Sequence, residues 1–185
     1  MIDPEPWVTR SGREVYRNPW IRLDEHVVDL PGGANTLYGI VRCQPCVGML
    51  PFVNDDTVLL VRQWRYIIGR ATWEMPTGAN YATETPQEAA QRELAEEVGY
   101  RARSLHQLTV YNTSKSVVDE DATLFVATGL EPATAEPDET EQIHVGAFPF
   151  EDVLTMVLSG EIVDGMTIIA VLWADRLRRN NQFPS

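Results

Sequence analysis

The distribution of apolar residues divides the chain into a first part typical of β-strands and a later part that contains helices. Continuous or alternating β-branched and aromatic residues predict five strands, at 20–30, 37–43, 46–53, 58–65 and 72–75. The turn-forming sequences "PGGAN" (31–35) and "NDD" (54–56) lie between some of them. The first 75 residues are therefore expected to form β-structure.

The pattern changes to a helical period in "TPQEAAQRELAEEVGY", which begins at Thr85. Thr85 is a good N-cap, Pro86 suits the first helical position, and Glu88 completes a capping box. Gly99 is the residue type that ends helices in a left-handed conformation. These signals predict a helix over 86–98. Its expected inward face consists of Ala90, Leu94 and Val98.

The rest of the chain predicts strands at 100–111, 122–130 and 143–150 and helices at 151–160 and 166–179. Between two of these strands, the acidic segment "EPATAEPDETEQ" (131–142) holds two prolines and is predicted to be a loop. Strands before and after a central helix, followed by terminal helices, predict an α/β fold in which helices cover a mixed sheet.

The composition and net charge of the chain limit the classes of partner that are expected. The 185 residues, 44% of them apolar, suffice for one packed domain with a small appendage. A formal net charge of −12 argues against binding to nucleic acid or to an anionic membrane. No apolar run reaches the roughly 18 residues of a membrane span, and "MIDPEPWVTR" lacks the features of a secretory signal. A cytoplasmic protein is expected.

Three carboxylates crowd one side of the predicted central helix. Glu93, Glu96 and Glu97 in "RELAEEVG" fall within an arc of roughly 100°, where like charges repel each other. One interpretation is an exposed acidic face. The other is a cation site, because Mg²⁺ and Mn²⁺ prefer clustered oxygen ligands and remove the repulsion.

The spacing around these carboxylates resembles the Nudix box, G-x5-E-x7-R-E-U-x-E-E-x-G-U, in which U is bulky and apolar. The matching residues are Gly78, Glu84, Arg92, Glu93, Leu94, Glu96, Glu97, Gly99 and Tyr100. The departures are Tyr100, where an aliphatic residue is usual, and Tyr81 and Thr83, which replace an acidic residue and a glycine often found in the loop. Because the motif fixes many positions at once, a chance match is improbable.

The resemblance covers most of the chain and indicates one subfamily. The stretches "VRQWRYIIGRATWEMPTG" (61–78) and "FPFEDVLTMVLSGEIVDGMTIIAVLWA" (148–174) are similar to ADP-ribose and nucleotide-sugar pyrophosphatases. This resemblance implies a Nudix fold, an α/β/α sandwich on a mixed sheet, for residues 46–185. It also implies that an antiparallel β-segment, residues 1–45, is exchanged between the subunits of a homodimer and helps to bind the base.

The same resemblance implies a Mg²⁺ site, with Mn²⁺ as the alternative metal. The expected ligands are the carboxylates of Glu93, Glu96, Glu97 and Glu141 and the backbone carbonyl of Thr77, where the family usually has Ala. Through the metal, Glu96 and Glu97 also count as catalytic residues. In "DETEQIHV", Glu139 occupies the position of the catalytic base. The alternative for that segment is a solvated acidic loop, in which case Glu120 is the next candidate for the base.

The residues expected to bind substrate also follow from the resemblance. Trp20 and Tyr38 lie where the subfamily has two aromatic residues, one from each subunit, that sandwich the base. Packing in the core is the alternative for both. Arg65 matches an arginine that grips the diphosphate or the terminal ribose. Arg62 and Glu74 are weaker candidates, and the alternative for Arg62 is an exposed strand residue.

The sequence is thus interpreted as a Mg²⁺-dependent Nudix pyrophosphohydrolase that acts on a nucleoside diphosphate sugar. ADP-ribose is the first expected substrate and GDP-mannose the next. Many ADP-ribose enzymes have a proline soon after the box, whereas none occurs here between Gly99 and Glu131. The alternative from another class is a non-catalytic protein that binds a nucleotide sugar. Such proteins usually lose carboxylates of the box, and this box is intact.

Overall fold

The computed structural model describes residues 4–134 and 143–184. Its strands and helices, in chain order, are β1 (Val8–Arg17), β2 (Arg22–Asp29), β3 (Asn35–Arg42), β4 (Cys46–Asn54), β5 (Thr57–Arg65), β6 (Arg70–Glu74), β7 (Thr77–Ala79), α1 (Pro86–Val98), β8 (Tyr100–Asn112), β9 (Val118–Asp119), β10 (Asp121–Pro132), β11 (His144–Pro149), α2 (Phe150–Ser159) and α3 (Gly165–Arg179). The chain forms two compact units, which we call the N-terminal unit (Met1–Pro45 with Asn112–Asp121) and the main unit (Cys46–Tyr111 with Ala122–Ser185).

The N-terminal unit is a four-stranded sheet in the order β1-β2-β3-β9. The first three strands pair antiparallel, and the two-residue strand β9 pairs parallel with β3. Every residue of β1 is exposed, so this strand has no apolar face buried within its own unit. Exposed ion pairs join β1 to β2, such as Arg13 to Glu25 at 2.7 Å.

The main unit is a mixed sheet with helices on both faces. The strand order is β11-β5-β4-β10-β8, with β6 paired to β5 and β7 paired to β4. The sheet is mixed because β10 runs parallel to β4, whereas β5 runs antiparallel to both β4 and β11. Leu59 and Val61 of β5 belong to the core cluster of α1, and Val58 and Leu60 to that of α2 and α3. The expected α/β/α sandwich on a mixed sheet is therefore confirmed, while exchange of residues 1–45 between subunits stays a prediction.

Helix α1 begins and ends where its local chemistry predicts. The Thr85 hydroxyl accepts a hydrogen bond from the backbone N–H of Glu88 at 3.2 Å, and the Glu88 carboxylate accepts one from the N–H of Thr85 at 2.8 Å. Gly99 closes the helix with φ 72°, a conformation that favours glycine. The predicted inward residues Ala90, Leu94 and Val98 are all buried.

The other predicted elements agree with the structure to within about two residues at each end. Three strands were not predicted, namely β1, β7 and β9. The predicted loop at 131–142 begins with the last residues of β10, and positions 135–142 lie outside the described residues. The longest of the described helices, α3, has 15 residues, and none of the described helices is long and apolar enough to cross a membrane.

Candidate active site

Arg92 organises the carboxylates at the start of α1. Its guanidinium binds the Glu84 carboxylate through two hydrogen bonds, Nε to Oε2 at 3.2 Å and Nη2 to Oε1 at 2.8 Å. Nη2 also donates to the Ala79 carbonyl at 2.8 Å. Hydrogen bonding with Glu84 raises the pKa of Arg92, and the same contact lowers the pKa of Glu84. Arg92 therefore ties the loop that precedes α1 to the helix and remains charged.

The same guanidinium also offsets the crowding of carboxylates along the helix. Nη1 of Arg92 donates to Glu93 Oε1 at 2.7 Å and to Glu96 Oε2 at 3.1 Å. The guanidinium also lies over the ring of Tyr81, with 4.8 Å between the ring centre and Arg92 Cζ. This cation–π contact holds Tyr81 in the box loop, a role that the sequence alone did not indicate.

The remaining box residues bring α1 against strand β7. Glu97 is only 8% exposed, and its Oε2 accepts a hydrogen bond from the backbone N–H of Thr77 at 3.3 Å. Gly78 has no room for a side chain, because a Cβ there would overlap the carboxylate of Glu93. The glycine of the motif is thus required for the close approach of Glu93 to the backbone.

The donors that meet at this point suit a hard divalent cation. The carboxylates of Glu93, Glu96 and Glu97 and the backbone carbonyl of Thr77 are oxygen donors of the kind that Mg²⁺ and Mn²⁺ prefer. In the described part of the chain, no three acidic, histidine or cysteine side chains converge tightly enough to coordinate one ion without moving. The group that lies between Glu93 and Glu96 is Arg92 Nη1, so a bound ion would share or displace this contact.

A second charged pair lies on the hairpin formed by β5 and β6. Arg65 Nε donates to Glu74 Oε2 at 3.1 Å, and its Nη2 lies 2.5 Å from Glu74 Oε1. Glu74 is only 2% exposed, and this burial raises its pKa although Arg65 acts the other way. Burial also disfavours the charged form of Arg65 and acts to lower its pKa. The hydrogen bond and charge of Glu74, together with the charges of Asp164 and Glu97, outweigh this effect, so the pKa of Arg65 is raised. Arg65 is therefore a cation held in place by a buried partner, within electrostatic reach of the box.

Arg62 does not join this pair. It is exposed, and its guanidinium lies 5.9 Å from the ring centre of Trp73. Because successive side chains of a strand point to opposite faces, Arg62 and Arg65, three residues apart, project from different faces of β5. The structure thus brings Arg65 and Glu74 together and leaves Arg62 on the other side of the sheet.

The two aromatic residues of the predicted base site both lie in the N-terminal unit. Trp20 is 77% exposed, so packing in the core is the wrong interpretation for it. Asn18 Oδ1 accepts hydrogen bonds from the N–H groups of Trp20 and Ile21, which fixes the turn that presents the indole. Tyr38 is half-buried and lies edge-on to Trp7, with ring centres 6.0 Å apart. Within one chain, Trp20 and Tyr38 line different cavities, of about 210 and 270 Å³.

Of the two candidates for the catalytic base, Glu139 and Glu120, the structure describes only Glu120. Glu139 and Glu141 lie outside the described residues. Glu120 lies in the N-terminal unit, where its carboxylate accepts a hydrogen bond from the Thr113 hydroxyl at 2.9 Å. The assignment of the base therefore stays a prediction.

Comparison with known proteins agrees with the motif. The chain matches the family model described as "NUDIX domain" over residues 43–164, and the model described as "Nucleoside diphosphate sugar hydrolase N-terminal domain" over residues 7–41. It is 32% identical to the ADP-ribose pyrophosphatase of Bacillus subtilis (strain 168) over 165 residues, 88% of this chain and 89% of that protein.

More distant similarities point the same way. The GDP-mannose pyrophosphatase of Yersinia pestis (strain Pestoides F) is 28% identical over 175 residues, 87% of this chain and 88% of that protein. A crystal structure titled "ADP compounds hydrolase" superimposes with a TM-score of 0.87 at 21% identity, covering 98% of this chain and 100% of that one. At this identity the structural match establishes the fold alone.

Proposed function

Because the chain belongs to the Nudix family, we propose that it is a divalent-metal-dependent pyrophosphohydrolase that cleaves a nucleoside diphosphate sugar to a nucleoside monophosphate and a sugar phosphate. The observation that carries this proposal is the complete box, in which Glu93 packs against Gly78 and Glu97 binds the backbone of Thr77. ADP-ribose is the first expected substrate, because a relative of that name is 32% identical over most of both chains. GDP-mannose is the second, because another relative carries that name.

The residues of the box would hold the cation. Glu93, Glu96 and Glu97, with the carbonyl of Thr77, would be its ligands, and Glu141 would add a further carboxylate. Mg²⁺ in such a site stabilises charge on phosphoryl oxygens and lowers the pKa of bound water towards neutrality. Mn²⁺ has the same ligand preference and is the alternative metal.

Arg65 is suited to bind the diphosphate. Glu74 engages Nε and Nη2 and so fixes the orientation of the guanidinium. The Arg65 side chain is also 38% exposed, so its guanidinium remains accessible to a phosphate oxygen, for which arginine has favourable geometry. In this proposal Glu74 acts by holding Arg65, and Arg62 is the weakest of the substrate candidates.

A panel of substrates tests the proposal. ADP-ribose, GDP-mannose and ATP are incubated with the protein and Mg²⁺, and phosphate is measured after a phosphatase that acts only on the monophosphate products. We expect release with the two nucleotide sugars, with ADP-ribose the faster. Release from ATP alone would contradict the substrate class. Binding of nucleotide sugars by calorimetry without any release would favour the non-catalytic alternative.

We propose that the protein is a homodimer in which Trp20 of one subunit and Tyr38 of the other stack on the base. The N-terminal unit supports this, because seven large apolar side chains are exposed among its described residues: Trp7, Val8, Val15, Tyr16, Trp20, Leu37 and Val117. Trp20→Ala should therefore raise KM more than it lowers kcat, since stacking stabilises the ground and transition states alike.

Steady-state kinetics with ADP-ribose measure the effect of Trp20→Ala. Trp173→Ala on α3, also partly exposed, is the matched control and should leave KM unchanged. Sedimentation of the wild type gives the oligomeric state in the same buffer. A fully active monomer would contradict the shared site.

We propose that Glu139 is the catalytic base and Glu141 a metal ligand. A base acts in the transition state, so Glu139→Gln should lower kcat with little change in the Mg²⁺ requirement. A ligand helps to assemble the site, so Glu141→Gln should raise the Mg²⁺ concentration needed for half-maximal activity. Titration of both variants with Mg²⁺ at saturating substrate separates the two roles. Exchanged effects would exchange the assignments, and full activity in both would make Glu120 the next base to test.

A further inference from the structure

A buried hydroxyl connects the start of α3 to the segment that precedes the box. Asp164 is the N-cap of α3, and its Oδ2 accepts from the backbone N–H of Thr167 at 2.7 Å and from the Thr167 hydroxyl at 2.5 Å. Thr167 is completely buried, and its Oγ1 accepts the backbone N–H of Met75 at 3.0 Å. Because the hydroxyl proton is directed to Asp164, a lone pair of Oγ1 is free to face Met75.

Met75 lies in a four-residue segment, 74–77, that is held by four different elements of the main unit. The contacts, in chain order, are Glu74 with Arg65 of β5, the N–H of Met75 with Thr167 of α3, the carbonyl of Pro76 with the N–H of Met49 in β4 at 3.0 Å, and the N–H of Thr77 with Glu97 of α1. The segment thus connects the partner of Arg65 at one end to the proposed metal ligand Thr77 at the other. The contact to α3 is made by a side chain, that of Thr167, which belongs neither to the box nor to the Arg65–Glu74 pair.

We propose that Thr167, oriented by Asp164, is a positioning residue that fixes this segment so that the Thr77 carbonyl and the Glu97 carboxylate face one cation. The inference rests on the proposed function. Without the Thr167 hydroxyl, the buried N–H of Met75 loses its acceptor, and the backbone must shift to regain one. Pro76 has no N–H and a fixed φ, so it cannot absorb such a shift locally and passes it on to Thr77.

A merely structural role for Thr167 makes a different prediction. If the contact only caps α3, its loss lowers thermal stability and leaves the affinity for metal unchanged. If it positions Thr77, metal affinity falls by about tenfold, the usual scale for residues that orient metal ligands. Binding of metal in the absence of substrate therefore separates the two roles, and it does not depend on turnover.

The test compares Thr167→Val with Val171→Ala by titration with Mn²⁺, followed by electron paramagnetic resonance of the free ion. Thr167→Val keeps the size of the side chain and removes the hydroxyl. Val171, also completely buried and one turn further along α3, is the control, because Val171→Ala loosens the packing of the same core cluster and leaves the hydrogen bond between Thr167 and Met75 in place. We expect Thr167→Val to bind Mn²⁺ about tenfold more weakly, Thr167→Ser to bind close to the wild type, and Val171→Ala to lose only thermal stability.

Equal Mn²⁺ affinity in Thr167→Val and the wild type would overturn the positioning role. So would an equal loss of affinity in Val171→Ala. If Thr167→Val does not fold, Asp164→Asn replaces it, since asparagine is also a good N-cap and weakens the contact to the Thr167 hydroxyl. That variant should show a smaller loss in the same direction, and unchanged affinity would overturn the proposal. Failure of the wild type itself to bind Mn²⁺ would count against the proposed function instead.

Discussion

We expect Glu97→Gln to lower kcat by at least about 100-fold while the fold stays intact, on the scale of a lost charge-stabilising group. Glutamine keeps the shape of the side chain and can still accept the hydrogen bond from Thr77. It removes the negative charge that a cation needs at this position. Because Glu97 is almost completely buried beside β7, a neighbouring carboxylate has little room to move into its place.

Initial rates with ADP-ribose at saturating Mg²⁺ measure this effect, and circular dichroism with thermal melting checks the fold. Glu151→Gln is the matched control, since Glu151 is an exposed carboxylate in the first turn of α2. It makes the same chemical change outside the box and should leave kcat unchanged. A Glu97→Gln variant with near wild-type activity would contradict the assignment of the metal site to α1.

Arg65→Gln should destabilise the protein by about 2 kcal/mol at neutral pH, which is less than the roughly 3–5 kcal/mol for breaking a fully buried ion pair because Arg65 is 38% exposed. The main cost is the carboxylate of Glu74, which stays buried without its partner. The same variant should raise KM for ADP-ribose, because the cation proposed to bind the diphosphate is lost.

The stability loss in Arg65→Gln should depend on pH in a defined direction. Burial already raises the pKa of Glu74 above its ordinary value of 4.5, and the loss of Arg65 removes the strongest interaction that opposes this. The folded variant therefore holds a proton that the unfolded chain releases above about pH 4.5. Its stability falls as pH rises through the raised pKa, and the deficit relative to the wild type shrinks towards pH 4.5.

Urea unfolding at several pH values measures this trend, and the double variant Arg65→Gln with Glu74→Gln separates stability from binding. The double variant removes the buried charge, so it should recover much of the lost stability and show no deficit that grows with pH. Its KM should remain high. A deficit independent of pH in the single variant would contradict the burial of an ionised Glu74, and a KM restored in the double variant would contradict the role of Arg65.

The parts of the fold that the sequence predicts well are those with local causes. Helix α1 has a capping box, a proline in its first turn and a glycine at its end, all within a few residues of each other. These signals fix its boundaries without reference to the rest of the chain. The central strands β4, β5 and β10 of the main unit were predicted because they contain continuous apolar runs that are buried on both faces of the sheet.

The elements that were missed depend on distant partners or lack an apolar face. Strand β1 reads "VTRSGREVYR", in which charged residues occupy both faces and every position is exposed, so no period-2 pattern marks it. Strand β9 has two residues and exists only through its pairing with Val41 and Arg42 of β3. Strand β7 is a three-residue partner of β4 inside the box loop. Pairing of this kind is a tertiary effect that local propensity does not encode.

The box residues of the candidate site were predictable from the sequence, whereas several contacts between site residues were not. The spacing of the motif identifies the residues of the box, but the ion pairs of Arg92 with Glu93 and Glu96 required the structure. The contact between Arg65 and Glu74 depends on the register of the β5–β6 hairpin, which sets Glu74 opposite Val61 and so on the same face as Arg65. The sequence did not specify this register. The contact between Thr167 and Met75 spans 92 residues and has no signal in the sequence.

Analysis of the products from ADP-ribose tests the proposed activity most directly. The wild-type protein is incubated with ADP-ribose and Mg²⁺, and the products are separated by anion exchange and identified by phosphorus NMR. We expect AMP and ribose 5-phosphate in equal amounts, no free phosphate, no reaction in excess EDTA, and recovery when Mg²⁺ is restored. Cleavage to ADP and ribose, or hydrolysis that persists in EDTA, would contradict a metal-dependent attack on the diphosphate.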